Sequence, residues 1–365
     1  LRELPPRSEV PLSFLDEQEI ASLLQESYAV RSPANQWAPL VVMGLLPEAD
    51  VEIRAHTVVG VYLPEQRQLF VDSNLQNNTP DDQALLARSY AHALQDQHFD
   101  LGSIDARAPT TDARLAARSL VEGDAMLLTA LYRYQDLESA DWTHLEAMVE
   151  AEAPSYGTVF DQSDAWRQMG LFPVTAGRVL VQMLFETGGW NAVNAAYADL
   201  PRTTEQVLHP ERYLQERDTP SSVVVPDIAS RLGAGWALRL QDTLGEFVAG
   251  LYLHDALSEK VAQQAAAGWD GDTLAVWEHE DGQRVLVWRT HWETIGDALE
   301  FEQALAGLIQ QRHTPAWPLE PPLGSSGRWW QTSAGVFRTE QLARHVTLIQ
   351  APSAGMAQAV TEAIP

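Results

Sequence analysis

Arg88-Ser89-Tyr90-Ala91-His92-Ala93-Leu94-Gln95-Asp96-Gln97-His98-Phe99-Asp100-Leu101 is the stretch on which the reading of this chain turns. It continues a run in which Leu85, Leu86, Tyr90, Ala93, Leu94 and Gln97 recur at helical spacing. The run opens at Thr79-Pro80-Asp81-Asp82. Pro80 suits a first helical turn, and the two aspartates favour the positive end of the helix dipole. A long helix ending near His98 is therefore expected. Residues 88 and 92 share one of its faces. His98, six positions past His92, is rotated by about 600° and lies off that face. Asp96 lies on it and reads as a solvated helix acid.

Upstream, Leu1–Pro11 is rich in proline and charge and reads as an extended arm. A helix capped by Asp16 follows, with Ile20, Leu23, Leu24 and Tyr28 on its stripe. Leu40–Leu46 is a short apolar run without a clear period. His56–Tyr62 and Gln68–Val71 flank Leu63-Pro64-Glu65-Gln66-Arg67, which is the pattern of a β-hairpin. Downstream, helices are expected over Thr111–Tyr134, Trp142–Glu152, Thr175–Thr187 and Trp190–Ala198, with a short one over Thr203–Leu208. Gly188-Gly189 is a turn before Trp190, not a phosphate cradle, because no Lys-Ser/Thr follows it.

The texture changes after about Ser230. Thr273–Trp277 and Arg284–Thr290 flank Asp281-Gly282, a strong hairpin signal. Gly296–Gln311 is an amphipathic helix, and Pro315–Gly327 is a connector. Arg328–Gln331 and His345–Ile349 read as strands, and Ala354–Ile364 as a last helix. The expected class is α+β: a mainly helical domain with a small hairpin over residues 1–230, then a smaller α+β domain over 231–365. Trp329-Trp330 invites a carbohydrate-binding reading, although large aromatics more often anchor a core.

The chain has 365 residues, 45% hydrophobic and 20% charged, enough to bury a sizeable core. Its 50 acidic against 24 basic residues give a formal charge of −26. Such a surface repels phosphate backbones and anionic lipid, so nucleic acid is not an expected partner. The absence of cysteine removes disulfides, thiolate metal sites and cysteine nucleophiles together. No run reaches the roughly 20 apolar residues of a transmembrane span. The chain opens on Leu1, which reads as a processed or trimmed end, and an extracytoplasmic or cell-surface location is expected.

The chemistry enters with the motif helix. In zinc peptidases, HExxH on a helix sets two imidazoles one turn apart, and the adjacent glutamate activates the metal-bound water. The stretch Ala93-Leu94-Gln95-Asp96-Gln97 and Phe99-Asp100-Leu101 resembles the motif helix of a bacterial glutamate-type (gluzincin-like) HExxH metallopeptidase family. Leu120-Val121-Glu122-Gly123-Asp124-Ala125 is similar to that family's third-ligand helix, with Glu122 in the ligand place, 30 residues after His92. Leu171-Phe172-Pro173, Glu186–Asn194, Thr204–Tyr213 and Gly268–Asp272 extend the resemblance, which covers most of residues 55 to 310. It implies a zincin-like helical domain.

The departures decide what else it implies. With His92 as the second motif histidine, Arg88 stands where the first zinc ligand belongs and Ser89 where the catalytic glutamate belongs. Arginine cannot be deprotonated to become a ligand. The chain thus looks like a degenerate member, with no catalytic residue, metal or other cofactor expected, and with Arg88 turned onto Glu122 in place of the ion. If zinc were bound after all, His92 and Glu122 would hold it. Asp124 and His209 are candidates for groups that once oriented a ligand or steadied the reaction; a capping acid and a loop histidine are the plainer readings. The expected function is a catalytically silent peptidase-like protein binding a peptide or protein in the vestigial cleft. The alternatives are a hydrolase with an unorthodox metal or a Ser89/His92 site, and a structural envelope scaffold.

Overall fold

The computed structural model describes residues 1–31, 37–46, 53–54, 58–75, 79–152, 155–156 and 164–364. His56 and Thr57 of the first hairpin run lie outside the described residues. The chain is α+β and divides into two compact units. Unit 1 comprises residues 1–37, 46–109 and 113–217; unit 2 comprises 38–45, 110–112 and 218–365. The texture change near Ser230 thus falls inside unit 2. Among the described residues no helix is long and apolar enough to cross a membrane.

Unit 1 is mainly helical. Its small sheet has the order β1 (Leu12–Leu15), β4 (Gln68–Asp72), β3 (Gly60–Leu63). The expected hairpin forms: β3 and β4 are antiparallel and joined by the Pro64–Arg67 turn. The arm reading stopped short of β1, which runs parallel to β4 and pairs Leu12 with Leu69 and Leu15 with Asp72. A two-residue ladder, β2 (Ile53–Arg54) with β5 (Ser155–Tyr156), completes the strands of this unit among the described residues. Asp16 caps the following helix as expected, accepting from the Glu19 amide while Glu19 accepts from the Asp16 amide.

The motif helix spans Pro80–Phe99. Thr79 accepts from the Asp82 amide and Asp82 accepts from the Thr79 amide, a reciprocal cap that satisfies two otherwise orphaned donors. The return helix spans Thr111–Tyr134. It crosses the long helix Asp164–Ala198 at near backbone contact: a Cβ on Gly123 would fall 2.1 Å from the Gly177 carbonyl oxygen, so only glycine fits. That long helix breaks at Gly189, whose φ of 60° and ψ of −157° suit no side chain, just where the sequence placed a turn.

Unit 2 is built on a seven-stranded antiparallel sheet. Its order is β6 (Trp236–Asp242), β7 (Trp269–His279), β8 (Arg284–Trp292), β12 (His345–Ala351), β11 (Gly335–Leu342), β10 (Arg328–Thr332), β9 (Trp317–Leu319). Strand side chains alternate between faces. Ala275, Trp277, Val285, Val287 and Ile349 pack under the helix Ala354–Ala363 on one face. On the other, Trp288 meets Tyr252 and Phe301, from the helices Gly245–His254 and Ile295–Arg312, edge to face. Trp329 and Trp330 are each 2% exposed, so they are core anchors and offer no sugar platform.

Candidate functional site

The site lies wholly within unit 1, where the motif and return helices face one another. Arg88 and His92 sit one turn apart on the motif helix, and Glu122 comes from the return helix. Arg88 Nη2 donates to Glu122 Oε2, and Arg88 Nε is buried with no hydrogen-bond partner among the described residues. His92 Nε2 lies 3.7 Å from the same carboxylate oxygen.

The proton on His92 can be placed from its neighbours. Gln95 Nε2 donates to the Val121 carbonyl at 3.1 Å, which turns Gln95 Oε1 towards His92 Nδ1 at 2.9 Å. In the neutral imidazole Nδ1 therefore carries the proton, and Nε2, which a second proton would occupy, faces Glu122. Burial holds the imidazole below its ordinary pKa; the Glu122 charge works against this and Arg88 with it. For Glu122, burial pushes the carboxyl up, but Arg88, then His92 and Arg118, outweigh it and the group ends below its ordinary value. The centre sets a glutamate held below its ordinary pKa beside a fixed guanidinium and an imidazole that burial also holds below its ordinary value.

A zinc ion does not fit this set. Catalytic zinc takes three protein ligands and a water, whereas His92 and Glu122 supply two donors and Arg88 a permanent positive charge. Ser89 is not poised as a nucleophile either. Its buried hydroxyl donates to the Gly60 carbonyl at 2.8 Å and so ties the motif helix to β3.

Asp124, read as a capping or solvated acid in its plainer sense, is fully buried. Two positions along a helix is about 200° of rotation, so it points away from Glu122. Its partner is Arg2, from the N-terminal arm. Arg2 Nε donates to Asp124 Oδ1 at 2.6 Å and Nη2 to Oδ2 at 2.9 Å. Nη2 also donates to Asn194 Oδ1 at 2.8 Å, and the guanidinium carbon lies 4.2 Å from the Trp190 ring centroid. Tyr197 OH donates to Asp124 Oδ2 at 2.7 Å. Burial, then the Asp124 charge, pushes the Tyr197 phenol well above its ordinary pKa.

The arm continues along the motif helix, where His98 Nε2 meets the Pro5 carbonyl at 2.8 Å and Gln97 Oε1 accepts from the Arg7 amide at 2.7 Å. Asp96 is not the solvated acid its position suggested: it accepts from Tyr62 OH at 2.7 Å and from the Leu101 amide at 3.0 Å. His209 sits at the C-terminal end of the short helix Thr204–Leu208, its amide donating to the Glu205 carbonyl at 2.8 Å.

Between the arm, β1 and the two helices runs a groove of about 1020 Å³. Leu12, Phe14, Leu86, Tyr90, Leu94 and Tyr132 line it, with Arg2 and Leu4 from the arm. Phe14 is 63% and Tyr132 43% exposed, a large apolar surface to leave in water. Strand β1 is at the edge of its sheet among the described residues, so one row of its backbone donors and acceptors faces outward.

Residues 233–361 match the model of a family described as a domain of unknown function (DUF8575). The match falls within unit 2, and Arg88, His92, Glu122 and Asp124 lie outside it. No curated protein matches the chain. No solved structure matches it.

Proposed function

We propose that unit 1 is a peptidase-like domain that no longer hydrolyses peptides and instead binds one, in extended form, along the groove beside β1. The observation that carries this reading is the Arg88–Glu122 pair. The carboxylate that resembles a third zinc ligand is engaged by a guanidinium from the position that resembles the first. With Ser89 bonded to the Gly60 carbonyl, the centre has neither a Lewis acid site nor a free nucleophile. Recognition does not need either. An extended segment can add to an edge strand through main-chain hydrogen bonds while its apolar side chains enter adjoining pockets, and Phe14, Tyr90 and Tyr132 offer that surface. The edge-strand register and the apolar lining favour a peptide over a compact polar ligand.

The test follows a fluorescently labelled set of unstructured peptides by anisotropy, with mass spectrometry of the same samples. Saturable binding without cleavage, weakened tenfold or more by Phe14→Asp, is the expected result. Chelator-sensitive cleavage abolished by Glu122→Gln would overturn the reading in favour of a working hydrolase. Failure of every peptide to bind would leave the domain as a scaffold.

A further inference from the structure

The face of the unit 2 sheet that buries Val285, Val287, Ile349 and Ala351 is apolar where the helices Ala229–Leu232 and Ala354–Ala363 cover it. Two positions further along the central strands the chemistry changes abruptly. The register pairs Thr347 with Arg289 and His345 with His291, so these four side chains continue the same face as one block. The two imidazole rings lie 4.7 Å apart between centroids. Asp270 Oδ2 holds His291 Nδ1 at 2.9 Å and accepts from Ser221 Oγ at 2.7 Å. That contact puts the proton of a neutral His291 on Nδ1 and directs Nε2 away from Asp270.

Arg289 is the odd member. Its guanidinium makes no side-chain hydrogen bond or ion pair among the described residues, and its Nε is buried. Burial depresses the Arg289 guanidinium, and it depresses His345, with Arg289 and His291 adding to the effect as neighbouring positive charges. Acids outnumber bases 50 to 24 in this chain, so an arginine beside two histidines with no carboxylate of its own runs against the composition. The nearby acids are already engaged. Asp270 serves Ser221 and His291; Glu340, opposite Thr347 on β11, takes Arg338 Nη2 at 2.7 Å and the Ser326 hydroxyl.

We propose that Arg289, His291 and His345 form a binding site for a tetrahedral oxyanion of the phosphate class, with Thr347 beside it. A guanidinium fork and two imidazoles converging from adjacent strands match an anion with several acceptor oxygens. The occupant is either inorganic phosphate or the phosphate monoester of a small molecule.

Calorimetric titration of the full chain with inorganic phosphate and, separately, phenyl phosphate tests this at matched ionic strength, with chloride as control. Saturable binding of either phosphate is expected; tighter binding of inorganic phosphate identifies the free ion, and tighter binding of phenyl phosphate identifies an ester. Arg289→Gln should weaken binding at least tenfold and His345→Asn at least threefold, whereas Arg328→Gln, on a solvated arginine of the same unit, should leave it unchanged. Without phosphate, Arg289→Gln should melt no lower than the wild type, because it removes an unpaired cation; a purely structural arginine would give a lower melting temperature. No saturable effect beyond chloride, or undiminished binding by Arg289→Gln, would overturn the proposal.

Discussion

Two acids of unit 1 and one of unit 2 are met in different ways. In unit 1, Glu122 and Asp124 are each met by an arginine, Arg88 and Arg2. In unit 2, Asp272 is 3% exposed, buried as Asp124 is, whereas Glu122 keeps 29% of its side-chain surface exposed. Asp272 is met by N–H dipoles, the amides of Leu244 and Gly245 at 2.9 and 2.8 Å and Trp269 Nε1 at 2.9 Å. The consequence is opposite in sign. Burial pushes Asp272 up to about 6 against those donors and the Trp288 indole, whereas for Glu122 the combined pull of Arg88, His92 and Arg118 exceeds the cost of burial. A full positive charge close by can lower a carboxyl's pKa, where aligned dipoles alone do not offset the cost of burial. Unit 1 thus sets one arginine against each of these two acids, while unit 2 leaves Arg289 without a carboxylate partner among the described residues.

The largest effect should come from Arg2. In Arg2→Met, Asp124 keeps Tyr197 but loses its counter-charge, and breaking a buried pair from one side costs about 3–5 kcal/mol. Urea unfolding should show this loss, with much of it recovered in the Arg2→Met/Asp124→Leu double variant. A loss below about 1 kcal/mol would mean that the arm is not integral to unit 1.

Next comes the pH response of unit 2. Asp272 takes up its proton at a higher pH folded, at about 6, than unfolded, near its ordinary 3.8. Between those values the folded state holds more protons, so this stabilising contribution is present at low pH and is lost as pH rises through 6. At 1.36 kcal/mol per unit the loss is at most about 3 kcal/mol. Asp272→Asn should remove that component of the pH dependence; an unchanged profile would return the contrast to chance.

The smallest effect is at Arg88. Glu122 has the opposite linkage: its contribution is present above its ordinary pKa and is lost as pH falls through its lowered folded value. In Arg88→Met one charged hydrogen bond disappears, at a cost of about 1.5–3 kcal/mol. The Glu122 carboxyl should then titrate above its ordinary value, because burial is less opposed. Carboxyl carbon shifts followed by NMR would detect the reversal, and a carboxyl still titrating low would assign the role to His92 and Arg118 instead.

How much of this could be read from the sequence depends on distance along the chain. The motif helix, the Pro64–Arg67 and Asp281-Gly282 turns and the break at Gly188-Gly189 were legible because each rests on local rules of period and turn chemistry. Arg88 facing Glu122 followed from helical spacing together with the resemblance. Arg2 did not: it lies 122 positions from Asp124, and an arm rich in proline and charge carries no periodic signal. Asp96 was misread because its partners come from β3 and from beyond the helix end. Strands β6 and β11 were missed since charged residues interrupt their apolar runs, although Trp236-Ala237-Leu238-Arg239-Leu240 does alternate. The Arg289 cluster was invisible because only the pairing of β8 with β12 brings residues 289, 291 and 345 together.

The most direct test of the central claim, that Arg88 stands in place of an ion on Glu122, is the zinc stoichiometry of untagged protein. Elemental mass spectrometry after dialysis against micromolar zinc should be run on the wild type and on Arg88→His. The account predicts well under a tenth of an equivalent for the wild type and a clear gain for Arg88→His, which supplies a third donor beside His92 and Glu122. Near-stoichiometric zinc in the wild type, lost in Glu122→Ala, would contradict it and restore metal-dependent hydrolysis as the leading reading.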